Sequence, residues 1–145
     1  MFDEYKNKMG YYIFKKKMLK TYDSTYSFKK FIENSVKYIL IMPLNDLDFN
    51  NSFDVAKYFR IHKKNVTLLI PEHKVNSINI TAYYDNISYS IEDITKFGLP
   101  TKSYIKKLNE HEFDVLIDLE RDDNLFLTAV TSLINAKYKV GFKKA

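Results

Sequence analysis

The sequence has no cysteine and no tryptophan, three glycines and three prolines in 145 residues, and no arginine other than Arg60 and Arg121. Without cysteine there is neither a disulfide framework nor a thiolate nucleophile. Gly10, Gly98 and Gly141 supply no glycine-rich turn between a strand and a helix. That excludes a P-loop nucleotidase and a dinucleotide-binding Rossmann domain, since both bring backbone close to phosphate through glycine. No apolar run approaches the ~20 residues of a membrane-spanning helix, and the N-terminal residues lack the uninterrupted apolar core of a secretory signal. The expected location is cytoplasmic.

Charge is present but unevenly placed. Residues 1–37 carry nine lysines against Asp3, Glu4, Asp23 and Glu33, which accounts for the whole formal net charge of +5. The rest of the chain is balanced, so a neutral body bears a basic arm. A polyanion would meet the arm first. Phe2, Tyr5, Met9, Tyr12 and Ile13 recur there at helical spacing among Lys6, Lys8, Lys15, Lys16 and Lys17, the pattern of a basic amphipathic helix. Two readings follow. Residues 1–34 lie on an anionic membrane surface at the inner face, with Lys8, Lys15, Lys16 and Lys17 at the headgroups, or the helix packs on the body with its lysines in water. Interleaved tyrosine and lysine also suit single-stranded nucleic acid. The abundance of Lys, Asn, Ile, Tyr and Phe reflects AT-rich coding, however, and nucleic acid is not the expected partner. The N-x-S/T triplets at Asn50, Asn65, Asn79 and Asn86 are read as chance.

The body reads as alternating strands and helices. Val36 to Met42, Val66 to Ile70 and Phe113 to Leu119 are near-continuous apolar runs, as expected of parallel strands covered on both faces. Pro43 to Ser52 reads as a polar crest loop. A helix follows it with Phe53, Val55, Ala56, Tyr58, Phe59 and Ile61 as apolar members. Ile78, Ile80, Ala82 and Tyr84 alternate, and Asp85-Asn86 reads as a turn into a short partner strand. Thr101 to Glu112 predicts a helix with Tyr104, Ile105 and Leu108 inward. Asp122 and Asp123 precede a helix with Leu125, Leu127, Val130, Leu133 and Ile134, and Tyr138 to Phe142 closes the unit as a strand. The expected fold is α/β: a Rossmann-like three-layer domain with a mostly parallel sheet over residues 36–145, preceded by the basic helical arm, residues 1–35.

Open parallel sheets bind ligands at the carboxyl ends of their strands. Two groups of residues fall there. Asn45, Asp46 and Asp48 follow the first strand, where a carboxylate under a helix N-terminus can serve as a general base; the same residue types also form turns and caps. Asp118, Glu120, Arg121, Asp122 and Asp123 follow the strand at Phe113. Carboxylates so clustered suit sugar hydroxyls or a divalent ion, while a plainer reading makes Asp122 and Asp123 caps and Glu120 with Arg121 a solvated ion pair. Asp118 stands apart, because a carboxylate within an apolar strand needs a partner or a cleft. His62, His73 and His111 share no ligand spacing and read as surface residues. No metal site and no cofactor is expected.

The segments YILIMPLNDLDFNNSFDVAKYF, VTLLIPE, FDVLIDL and AKYKVGF together resemble the N-terminal domain of the ADP-heptose heptosyltransferases, glycosyltransferase family 9. The resemblance covers about Val36 to Phe142. It implies an acceptor-side half, with Asp48 or Asp46 as catalytic base; with these, Asn45, Asp118 and Glu120 at the strand ends are the residues expected to face the acceptor. It also implies a nucleotide-sugar-binding partner half, because this chain lacks the donor-binding half. The family's glycine before the base is missing here. The alternative is a stand-alone, non-enzymatic α/β binding or interaction protein.

Overall fold

Residues 38–42 are all fully buried, yet successive side chains enter different cores. Tyr38, Leu40 and Met42 pack into one cluster, and Ile39 and Ile41 into another. A strand whose alternate faces are both apolar must be covered on both sides. In a computed structural model, which describes residues 33–76 and 83–142, that strand is the centre of an entirely parallel sheet. In chain order the elements are β1 (Lys37–Ile41), α1 (Asp46–Ile61), β2 (Asn65–Pro71), a 3-10 turn (Glu72–Lys74), β3 (Asp85–Tyr89), a second 3-10 turn (Ile91–Asp93), α2 (Lys102–Asn109), β4 (Glu112–Asp118), α3 (Leu125–Leu133) and β5 (Asn135–Gly141).

The sheet order is β3-β2-β1-β4-β5. Tyr38 stands opposite Val66 on one side and Val115 on the other, and Glu112 pairs with Asn135 at the start of β5. The helix α1 covers one face with Phe49, Val55, Ala56 and Phe59, joined by Val75 and Tyr84 from the connection between β2 and β3. The opposite face is covered by α2 and α3 through Tyr104, Leu108, Phe126, Leu127 and Val130. From β1 the chain moves outward to β2 over the first face, and from β4 outward to β5 over the second, as right-handed crossovers require. The fold is therefore the three-layer, Rossmann-like α/β arrangement. Each fully buried aliphatic side chain, such as Ile39 or Leu40, stabilises it by about 1.5–3 kcal/mol.

Several local expectations are corrected. The polar stretch 46–52 is the first turns of α1, not a loop; Asn45 caps the helix by accepting from the Leu47 and Asp48 N–H groups, and the acidic first turn favours the helix N-terminus. Asp85 and Asn86 do not turn the chain. They begin β3, in parallel register with Thr67 and Leu68, so pairing at the sheet edge overrides their turn preference. The helix after Thr101 ends at Asn109, because Glu112 already belongs to β4. Asn124, rather than Asp122 or Asp123, caps α3. Leu127, Val130 and Ile134 are buried as expected of α3, but Leu125 is 59% exposed, Leu133 is 39% exposed and Phe126 is buried instead; Ile61 at the end of α1 is 62% exposed. The strand expected over 138–142 runs from Asn135 to Gly141. His62, His73 and His111 are exposed, as read. The basic arm with Lys8, Lys15, Lys16 and Lys17, and the alternation at Ile78, Ile80 and Ala82, lie outside the described residues.

Candidate functional site

Between β1 and β4 the connections leave in opposite directions, which opens the sheet at its carboxyl edge. All five residues singled out for acceptor chemistry, Asn45, Asp46, Asp48, Asp118 and Glu120, belong to that crest. The ladders extend one step past the strands: the Met42 N–H donates to the Leu69 carbonyl at 3.1 Å and the Leu119 N–H to the Ile41 carbonyl at 3.0 Å. Beyond this point side chains take over.

Glu120 is 4% exposed and its carboxylate bridges the two connections. One oxygen accepts from the Leu44 N–H at 2.7 Å and the other from the Asp122 N–H at 3.2 Å. Asp118, also buried, accepts at Oδ1 from the Glu120 N–H at 3.0 Å, and it lies in register with Gly141. A Cβ on Gly141 would sit 3.1 Å from the Asp118 Cβ, so glycine is what lets β5 approach here. Asn45 is engaged as the α1 cap.

The remaining carboxylates face cations. Arg121 holds Asp48 with a forked contact, its Nη2 donating to Oδ1 at 3.0 Å and Oδ2 at 3.1 Å, and its Nε reaching Oδ2 at 3.3 Å. The expected Glu120–Arg121 pair does not form, since neighbours on an extended chain point opposite ways and Glu120 turns inward. Asp46 accepts from Lys74 Nζ at 2.7 Å. That hydrogen bond, with the ammonium charge, holds the Asp46 carboxyl below its ordinary pKa. Lys74 itself is nearly buried. It also donates to the Leu44 carbonyl and lies 4.3 Å from the centre of the Phe49 ring. Sequence reasoning missed Lys74; its signal was its place three residues after Pro71, at the carboxyl end of a parallel strand.

Beneath the crest, Tyr89 packs against Phe126 at 5.0 Å between ring centroids. Burial pushes its phenol pKa up, and the Glu120 charge adds to the effect. The hydroxyls of Tyr89 and Tyr104 are buried with no hydrogen-bond partner among the described residues. No group of three His, Asp or Glu side chains there is disposed to hold a metal. Nor is any helix among them long and apolar enough to cross a membrane. An open depression of about 490 Å³ lies at the opposite, amino edge, bordered by Lys63, Lys64, Tyr83 and Asp85.

This architecture and crest define an α/β protein of Rossmann-like type without a glycine-rich phosphate loop. The chain belongs to a family of unknown function (DUF6913), whose model matches residues 6–145. No curated protein and no solved structure matches it.

Proposed function

We propose that the chain is a non-enzymatic α/β binding module whose ligand face is the carboxyl crest. The observation that carries this reading is the engagement of the crest carboxylates. Glu120 and Asp118 accept backbone N–H groups, Asp48 is held by Arg121 and Asp46 by Lys74. A general base needs a carboxylate oxygen open to a substrate proton, and a forked guanidinium on Asp48 competes for both of its oxygens. The outward surface of the crest is apolar and acidic instead, which suits a cationic, amphipathic polypeptide segment.

The test is amide chemical-shift mapping of the full chain with two probes, a synthetic amphipathic lysine- and leucine-rich peptide and an ADP-sugar. Saturable shifts at Leu44, Asp122 and Leu125 with the peptide, and no turnover of the ADP-sugar, are expected. Turnover by this chain alone would overturn the reading.

A second reading is favoured by the position of Asp48 at the β1/β4 switch point: the acceptor-side half of a family 9-like glycosyltransferase in bacterial surface-glycan assembly, acting with a nucleotide-sugar-binding partner half. Asp48 is then the base, with Asp46 the alternative. Asn45, Asp118 and Glu120 line the acceptor, and residues 1–34 rest on the anionic inner membrane face. Assayed with its partner half, an Asp48→Ala chain that keeps full activity would remove that assignment. Vesicle sedimentation that is insensitive to salt would remove the membrane contact.

A further inference from the structure

Ten large apolar side chains stand exposed among the described residues, and six of them lie on the carboxyl crest: Leu44, Leu47, Ile91, Phe97, Leu99 and Leu125. Leu47, Ile91, Phe97 and Leu125 are between 59% and 85% exposed. An apolar surface of this kind rimmed by charge marks a docking face. Its parts are connected, since Leu44 is bonded to Glu120 and a Cβ on Gly98 would lie 3.4 Å from Leu125 Cδ2. The rim is acidic on balance: Asp46, Glu72, Glu92, Asp122 and Asp123 are exposed, against Lys96, Lys102 and Arg121. The amino edge offers no such surplus, because Lys63 and Lys64 sit there beside Asp85 and Glu110.

The same chain carries the complement. Residues 1–32 hold eight lysines against Asp3, Glu4 and Asp23, and place Phe2, Tyr5, Met9, Tyr12 and Ile13 at helical spacing. The family match begins at residue 6, so this segment and the body belong to one family unit. Reach is sufficient. The five residues of β1 separate the amino edge from the crest by roughly 17 Å at ~3.3 Å per residue. A segment of 32 residues, even wholly helical at ~1.5 Å per residue, covers roughly 48 Å.

We propose that residues 1–32 dock in cis on the carboxyl crest, laying their apolar stripe over Leu47, Ile91, Phe97 and Leu125 and their lysines against Glu92, Asp122 and Asp123. The proposal rests on the crest being the ligand face and names its resident occupant. A tethered segment faces the crest at an effective concentration of about millimolar, which favours it over a second copy. An anionic membrane would attract the same lysines but would leave the crest apolar groups in water.

Because the chain has no cysteine, Met9→Cys gives a single attachment point for a nitroxide on otherwise intact, ¹⁵N-labelled protein. Docking in cis predicts loss of amide signal at Leu47, Phe97, Asp122 and Leu125, with Asn65 and Asn135 at the amino edge retained. Raising salt from about 0.1 M to about 1 M, which shortens screening from ~10 Å to ~3 Å, restores the lost signals. So does Asp122→Lys with Asp123→Lys. Both positions are exposed and neither caps α3, and the remaining amide spectrum reports that the body stays folded. Signal loss confined to the amino edge, or no loss, overturns the proposal. Loss that appears equally when unlabelled nitroxide-bearing chain is mixed with nitroxide-free ¹⁵N chain overturns the cis form in favour of a second copy. If the synthetic peptide shifts the crest while the nitroxide does not reach it, docking fails and the binding reading stands; if neither affects the crest, both fail.

Discussion

Glu120 holds the crest closed, and truncating it tests how much the crest depends on one carboxylate. Its Oε2 takes the Leu44 N–H at 2.7 Å in a part-buried setting, while Oε1 takes the Asp122 N–H at 3.2 Å beside an exposed residue. A hydrogen bond to a charged group contributes about 1.5–3 kcal/mol. The Leu44 bond falls in that range. Water can replace most of the longer one, so its share is about 0.5 kcal/mol. Glu120→Ala is therefore expected to destabilise the chain by about 2–3 kcal/mol, or roughly 6–10 °C in Tm for a domain of this size. Glu120→Gln keeps the shape and one acceptor oxygen for Leu44, but turns an amide toward the Asp122 N–H; its expected loss is about 1 kcal/mol. Urea unfolding followed by circular dichroism, with unchanged m values, gives both numbers. Amide exchange at Leu44 should accelerate in the alanine variant alone. Should Glu120→Ala prove as stable as the parent, the carboxylate's burial cost equals its bonding and the crest is held by something else. Equal losses for alanine and glutamine would refute the assigned acceptor geometry.

Asp114 accepts from the Val36 and Lys37 N–H groups at 2.8 and 2.9 Å, and these bonds hold its carboxyl below the ordinary pKa. A depressed carboxyl stabilises the fold above about pH 4 and loses that contribution as pH falls through the folded-state value. Asp114→Ala is thus expected to cost about 1–2 kcal/mol at neutral pH and to flatten the acid limb of a stability-against-pH curve, measured by chemical denaturation at each pH. Tyr104→Phe removes a buried, unpartnered hydroxyl and is expected to leave stability unchanged or to raise it by up to about 1 kcal/mol; a thermal melt showing a clear loss would reveal a partner for that oxygen. The Asp48–Arg121 contact is half open to solvent on the arginine side, so a double-mutant cycle of Asp48→Ala and Arg121→Ala should return a coupling of about 0.5–1 kcal/mol that fades in high salt.

The parallel sheet was legible because its central strands must be apolar on both faces: YILIM, VTLLI and VLI carry no alternation to mislead the eye, and helices between them leave little choice of topology. The crest was legible for the same reason, since parallel strands deliver their following residues to one edge. Partners within the crest were not legible. Whether Arg121 would reach Glu120, one residue away, or Asp48, 73 residues away, depends on which way each side chain leaves the backbone. Lys74 was invisible because a lysine after a strand usually lies in water, and here a ring and a carbonyl draw it inward. Most of the α3 stripe was legible, since Leu127, Val130 and Ile134 are buried, but Leu125 and Phe126 are both apolar, and only packing against Tyr89 and Tyr104 decides which of the two is buried.

The sheet order also constrains how the chain comes off the ribosome. β1 is made first among the described strands and sits at the centre, but the residue that secures its start, Asp114, lies 78 positions after Val36. At about 5–20 residues per second, synthesis of that interval takes roughly 4–16 s. Until β4 emerges, β1 can pair at most with β2, leaving YILI with an open, apolar edge toward the missing strand. The nascent chain is most exposed to misassociation in this window, and chaperone engagement during translation should end when β4 clears the exit tunnel.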